Sequence, residues 1–248
     1  MTGRTWHRFV DTRPDDLPRP DLNPYLRLHR EWGPPVLTAS DAAANRGRWD
    51  AAFEAPGPLH VEVGPGNGFH LAGMAARHPD VNWLGLEIRY KRVVLCAKKI
   101  ESAGVARNAR IARYDAWWLD DVFAPGEIAA LYAHHPDPWS KDRHEKKRLM
   151  GPFFAAWASR ALRVGAPIRV KTDHKPNIDR LVAAFEGLPL RVVEVREDVA
   201  RNGCPWPSED DVVTNYESKF YKRGEPVHAL LAERVEGPAP PLDEGARA

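Results

Sequence analysis

Leu59-His-Val-Glu-Val-Gly64-Pro-Gly66-Asn-Gly68-Phe69 is where the chain commits to an architecture. Leu59 to Val63 is an apolar, β-branched run that reads as a strand, and the stretch from Phe69 to Arg77, stopping ahead of Pro79, has the apolar period of a helix. Between them stand glycines at alternate positions. Glycine has no Cβ and tolerates positive φ, so such a turn lets a ligand lie on bare backbone beside a helix start.

Outward from this unit the pattern repeats. Asn82 to Glu87 reads as a strand, Tyr90 to Ser102 as a helix closing at Gly104, Asn108 to Tyr114 and Ile128 to His134 as strands, and Gly151 to Leu162 as a helix ended by Gly165. Pro167 to Thr172 is a strand, Ile178 to Glu186 a helix, Leu190 to Val195 a strand, and Val227 to Glu233 a closing strand. Regular alternation predicts crossover connections and an α/β fold with a doubly wound, mostly parallel, Rossmann-like sheet. One domain over residues 46–235 suits the length, with an irregular Pro/Arg-rich N-terminal extension at 1–45 and a disordered tail at 236–248.

The net charge of +2 in 248 residues gives no global field, but its distribution is uneven. Arg89, Lys91, Arg92, Lys98, Lys99, Arg107, Arg110 and Arg113 crowd one segment, and a second basic run begins at Lys141. They read as a phosphate-facing rim, with a solvated helix face as the bland alternative for the first. Cys96 and Cys204 are the only cysteines and lack metal-ligand spacing, so neither a disulfide framework nor a metal site is expected. No apolar run approaches the roughly twenty residues of a membrane span, and the first residues lack the apolar core expected of a signal peptide. A soluble, cytoplasmic protein is expected.

Acids follow the strands. Glu62 lies in the first and Gly64, Gly66 and Gly68 come after it, the Glu-x-Gly-x-Gly-x-Gly spacing of a turn that binds S-adenosylmethionine. A nicotinamide dehydrogenase needs a small residue at position 69, and Phe69 breaks that fingerprint. Glu87 closes the second strand, where a carboxylate can accept from ribose hydroxyls, and Asp115 closes the third, where it can accept from an adenine amine. Each alone reads as a helix cap, but three in register point to a cofactor. After the fourth strand comes His135-Pro-Asp137-Pro-Trp-Ser-Lys141-Asp-Arg143-His-Glu-Lys146-Lys147-Arg148. Its prolines stiffen the loop on both sides of Asp137.

With this stretch, the chain resembles the tRNA (guanine-N7-)-methyltransferase family. The family signature Pro-Asp-Pro-Trp-x-Lys-x-Arg-His-x-Lys-Arg-Arg is matched from Pro136 to Arg148, with Lys147 in place of an arginine. Lys171-Thr-Asp173 and Thr214-Asn215-Tyr216-Glu217 follow in family order, and the likeness spans about residues 59 to 234. The resemblance implies the seven-stranded class I methyltransferase sheet with its last strand antiparallel, S-adenosylmethionine as cofactor, and tRNA as partner of an enzyme assumed monomeric. It implies that Glu62, Glu87, Asp115 and Asp137 contact the donor, with Asp137 also the catalytic position. Lys141, Asp173, Thr214, Asn215, Tyr216 and Glu217 would bind the guanosine, and Arg143, Lys146, Lys147 and Arg148 the tRNA backbone.

His134 and His135 stand where the family favours apolar or aromatic residues, and His174 and Asn177 where bacterial members favour tryptophan and tyrosine. A relative redirected to a small purine-like heterocycle is therefore the enzymatic alternative, and an RNA-binding module that has lost catalysis the non-enzymatic one. Adjacent histidines on a strand point to opposite faces, which argues against His134 and His135 as a metal pair. Trp206 reads as loop packing or as a stacking platform, and Trp49, Trp83 and Trp157 as core.

Overall fold

A computed structural model describes residues 32–137 and 148–242, together with Tyr25, Leu28 and His29. Residues 1–124 and 125–248 form two compact units.

In the first unit four parallel strands run β1 (Val36–Leu37), β4 (Ala109–Arg113), β3 (Asn82–Glu87), β2 (Leu59–Val63). Between them lie the helices α1 (Ala39–Ala44), α2 (Phe69–Arg77) and α3 (Tyr90–Ser102). β3 is buried along its whole length, as a parallel strand covered on both faces must be. Val61, Leu84, Val93 and Ile111 make the core, with Trp83 fully buried as expected. β2, α2, β3 and α3 have the bounds read from sequence.

Within the expected irregular extension, residues 36–44 form regular elements. Val36 and Leu37 pair with Ile111 and Ala112, and α1 opens on a capping box in which Thr38 accepts from the Asp41 N–H while Asp41 Oδ2 accepts from the Thr38 N–H at 3.1 Å.

The second unit holds β5 (Ala130–His134), α4 (Pro152–Ala161), β6 (Pro167–Thr172), α5 (Lys175–Ala184), β7 (Leu190–Arg196), α6 (Val199–Asn202), α7 (Asn215–Arg223) and β8 (His228–Arg234). β5 and β6 are parallel, and β8 inserts between β6 and β7 antiparallel to both, as the resemblance implied. Trp157, Phe154, Ile168 and Leu230 are core. Trp206 packs with Val199, Val227 and Ala229, which makes it a loop anchor and not a stacking platform. The start of the expected tail is tied down: the carbonyls of Gly237 and Pro240 accept from Arg234 and Arg160 at 2.8 and 3.1 Å.

Candidate active site

Glu62, Glu87 and Asp115 stand at the carboxyl ends of three adjacent parallel strands, where α/β sheets place their ligands. Glu62 is 1 % exposed and pairs with His70 Nδ1 at 3.1 Å. Glu87 Oε1 accepts from the Arg89 N–H at 2.9 Å. Burial raises the Glu87 carboxyl above its ordinary range, against the pull of amide donors from Arg89, Gly66 and Ile88 and the Arg89 charge. Such a carboxylate gains from any further hydroxyl donor brought to it, which suits a ribose. Asp115 Oδ1 accepts from the Trp117 N–H at 3.1 Å and caps the 3-10 turn Ala116–Asp121.

The glycines divide the work. Gly64 and Gly66 have φ of 75° and 58°, and a Cβ on either would meet nothing within 4 Å, so open space lies over this backbone. Gly68 also has positive φ, at 76°, but a Cβ there would lie 2.5 Å from Cys96 Sγ. Gly68, expected among the donor contacts, thus brings α2 against α3, and Phe69 is free to be large. Burial, with Glu62 and Glu87 nearby, pushes the Cys96 thiol well up and leaves it inert. Open backbone, a bare helix start and three acids fit a cofactor with a diol, an amine and a cationic centre.

The first basic cluster is only partly exposed. Arg110 is buried over the Phe53 ring, Arg113 donates to the Ile88 carbonyl at 2.9 Å and covers Tyr90, and Lys99 sits over Phe69. Arg89, Lys91, Arg92, Lys98 and Arg107 are exposed.

In the second unit β5 is followed by His135, whose φ is 48°, and by Asp137 on an exposed loop. That loop is held from α5: buried Asn177 donates to the Pro136 carbonyl at 3.2 Å and accepts from Arg180 at 3.1 Å. Asn177, noted from sequence as a departure at the base wall, supports the backbone next to Asp137. Asp173 follows β6 and binds His135 Nδ1 at 2.9 Å. Burial would raise the Asp173 carboxyl, but the His135 hydrogen bond, the Asp173 N–H and the neighbouring His135 and His174 leave it below its ordinary value.

Of the Thr214 to Glu217 stretch, Asn215 and Tyr216 are exposed, whereas Glu217 is fully buried. Glu217 accepts from Lys171 Nζ at 2.8 Å, from the Thr214 N–H at 3.2 Å and from the Tyr221 hydroxyl. Thr214 caps α7 by accepting from the Glu217 N–H at 3.0 Å. Thr214 and Glu217, expected at the guanosine, therefore build the helix that presents Tyr216. Lys171, 2.6 Å from Asp211, completes a buried cation between two carboxylates. Lys141, Arg143, Lys146 and Lys147 lie outside the described residues, and Arg148 is half-buried.

Fold, glycine turn and strand-end acids together define a class I methyltransferase. A family model described as "Putative methyltransferase" matches residues 56–230. A tRNA (guanine-N(7)-)-methyltransferase of Bacillus velezensis is 34 % identical over 83 % of this chain and 95 % of its own. Proteins of the same name from Bacillus subtilis, 32 % identical over 83 % and 97 %, and Limosilactobacillus fermentum, 34 % over 82 % and 96 %, are equally similar. In fold the chain is similar to the 16S rRNA methyltransferase KamB, with a TM-score of 0.56 at 14 % identity over 77 % of this chain and 92 % of that one. The chain belongs to the tRNA (guanine-N7-)-methyltransferase family. No helix among the described residues is long and apolar enough to cross a membrane.

Proposed function

We propose that Glu62, Glu87 and Asp115 serve as donor contacts, with Asp137 at the catalytic position and Asp173 and Tyr216 at the guanosine, in the reaction of this family. The chain is an S-adenosylmethionine-dependent enzyme that methylates N7 of a guanosine in tRNA. The observation that carries the residue assignment is the row of three buried or nearly buried carboxylates on adjacent strand ends beside open glycine backbone. Bound S-adenosylmethionine supplies a methyl on a sulfonium, which the lone pair of unprotonated N7 can take in line while the bonding pair returns to sulfur, with no general base.

The protein's share is then alignment, an effect that can contribute about 7 to 11 kcal/mol. Asp173 and Asp137 are suited to accept from N1–H and the exocyclic amine, which leaves N7 on the opposite edge free. Tyr216, half exposed on α7, offers a ring to the base. Glu217 acts through Lys171 and the α7 cap. Lys141 joins the guanosine contacts, and Arg143, Lys146, Lys147 and Arg148 take tRNA phosphates, in a monomer working in the cytoplasm.

Labelled donor incubated with unmodified bulk tRNA, followed by nucleoside analysis, tests this. The label is expected in N7-methylguanosine without added metal. Label in free purines alone, or in another nucleoside, overturns the substrate assignment and favours a small heterocycle.

A further inference from the structure

We propose that His135 is a positioning residue that fixes the carboxylate of Asp173 for guanosine recognition. This rests on the reading of Asp173 as a guanosine contact. His135 sits just past β5 with φ of 48°, left-handed backbone that a residue with a Cβ adopts only when its surroundings hold it there. They do. Its N–H donates to the Lys171 carbonyl at 2.7 Å and so extends the β5–β6 ladder. Its ring lies parallel to Phe220, at 6° and 5.6 Å between centroids, and meets the edge of Tyr216 at 4.9 Å.

The imidazole is 6 % exposed, and its polar ties are one-sided. Nδ1 is 2.9 Å from Asp173 Oδ1, while Nε2 is buried without a hydrogen-bond partner among the described residues. A carboxylate accepts only, so Nδ1 must carry a proton. Phe220 and Tyr216 fix the ring plane, the ring fixes Oδ1, and the partly exposed carboxylate has its other oxygen to offer. The strained backbone, the aromatic clamp and the single donor thus all act on one acceptor. The groups facing Asp173 are His135 beyond β5, His174 at the start of α5 and Tyr216 on α7, with Asp137 also facing Tyr216.

The test separates packing from hydrogen bonding. His135→Phe keeps a ring against Phe220 and Tyr216 but removes the donor; His135→Asn restores a donor near the Nδ1 position. Because the contact to guanine exists before and during methyl transfer, its loss should act on KM. His135→Phe is expected to raise KM for tRNA about tenfold with kcat within about twofold, and His135→Asn to recover most of that. The acid limb of kcat/KM against pH should also move. Without its donor the Asp173 carboxyl rises, so activity falls off at a higher pH in His135→Phe and returns toward the parent in His135→Asn.

A KM and acid limb unchanged in His135→Phe overturn the inference, provided that Asp173→Asn is impaired. If Asp173→Asn is itself unimpaired, the reading of Asp173 as a guanosine contact falls instead. Nitrogen-15 spectra of the parent enzyme decide the matter even if the variants fail to fold: protonation at Nδ1 supports the arrangement, and protonation at Nε2 alone overturns it.

Discussion

Gly64 and Gly68 share a left-handed backbone and answer to different neighbours, which makes them separable by the same substitution. Alanine at either costs about 1–2 kcal/mol for the left-handed conformation. Gly68→Ala adds about 1–3 kcal/mol, because its methyl would enter the space of Cys96. Urea unfolding should therefore find Gly68→Ala the less stable variant, and Cys96→Ala should recover part of the loss, since it removes Sγ but not the Cα at 3.1 Å. Gly64→Ala, whose methyl points into open space, should instead weaken S-adenosylmethionine binding measured by calorimetry. Equal stability losses and an unaltered donor affinity would contradict this division. The alternating glycines were plain in the sequence. Which of them packs was not, because that depends on a cysteine brought near by a different helix.

At the scale of elements, β6, α7 and the 204–211 loop are joined through Lys171. Burial alone would lower its ammonium, but Glu217 and Asp211 more than offset this and hold it above its ordinary 10.5. Asp211, despite burial, is kept below its ordinary 3.8 by Lys171. Cys204, beside the pair and mostly desolvated, is pushed up to about 12 and takes no part as a thiolate. Lys171→Met strands two carboxylates in the interior and is expected to cost about 3–5 kcal/mol in denaturant unfolding. The sign of its pH dependence follows from the two shifts. The Asp211 share is present above 3.8 and lost as pH falls through the lowered folded value; the Lys171 share is present below 10.5 and lost as pH rises through the raised one. In the variant the stranded carboxyls, desolvated and without their cation, take up protons more readily, so the stability gap between parent and variant should shrink as pH falls, beginning above 3.8, and shrink again as pH rises above 10.5. A gap that widens as pH falls below neutrality would contradict it. Strand and helix bounds were legible wherever apolar period and glycine stops coincided, as in β2, α2, β3 and α3. α5 begins earlier than its apolar period suggests because Pro176 is at home in a first turn. α7 was missed although Thr214-x-x-Glu217 followed by Gly224 is a capping box with a glycine stop. Its mostly polar face hid the helical period.

Across the whole molecule, recognition of a polyanion must come from local charge, because the net charge is only +2. Reversing Lys146, Lys147 and Arg148 to glutamate should weaken tRNA binding and lower the salt slope of its affinity by about one for each phosphate no longer neutralised. Donor affinity should stay at the parental value; an unchanged slope would place the phosphate-binding cations elsewhere. The class of fold and the strand-end acids could be read from sequence, since a parallel sheet forces its strand tips to one edge and the acids recur there. The His135–Asp173 pair could not, because the sequence places those residues after separate strands and gives no orientation for an imidazole in left-handed backbone. Alignment by strand-end carboxylates, with Asp137 at the reacting position, is what should produce the rate. Single-turnover formation of N7-methylguanosine, with tRNA and donor both saturating, tests it most directly. Asp137→Ala is predicted to slow that step by about 100-fold or more. A rate within a few-fold of the parent's would contradict the account.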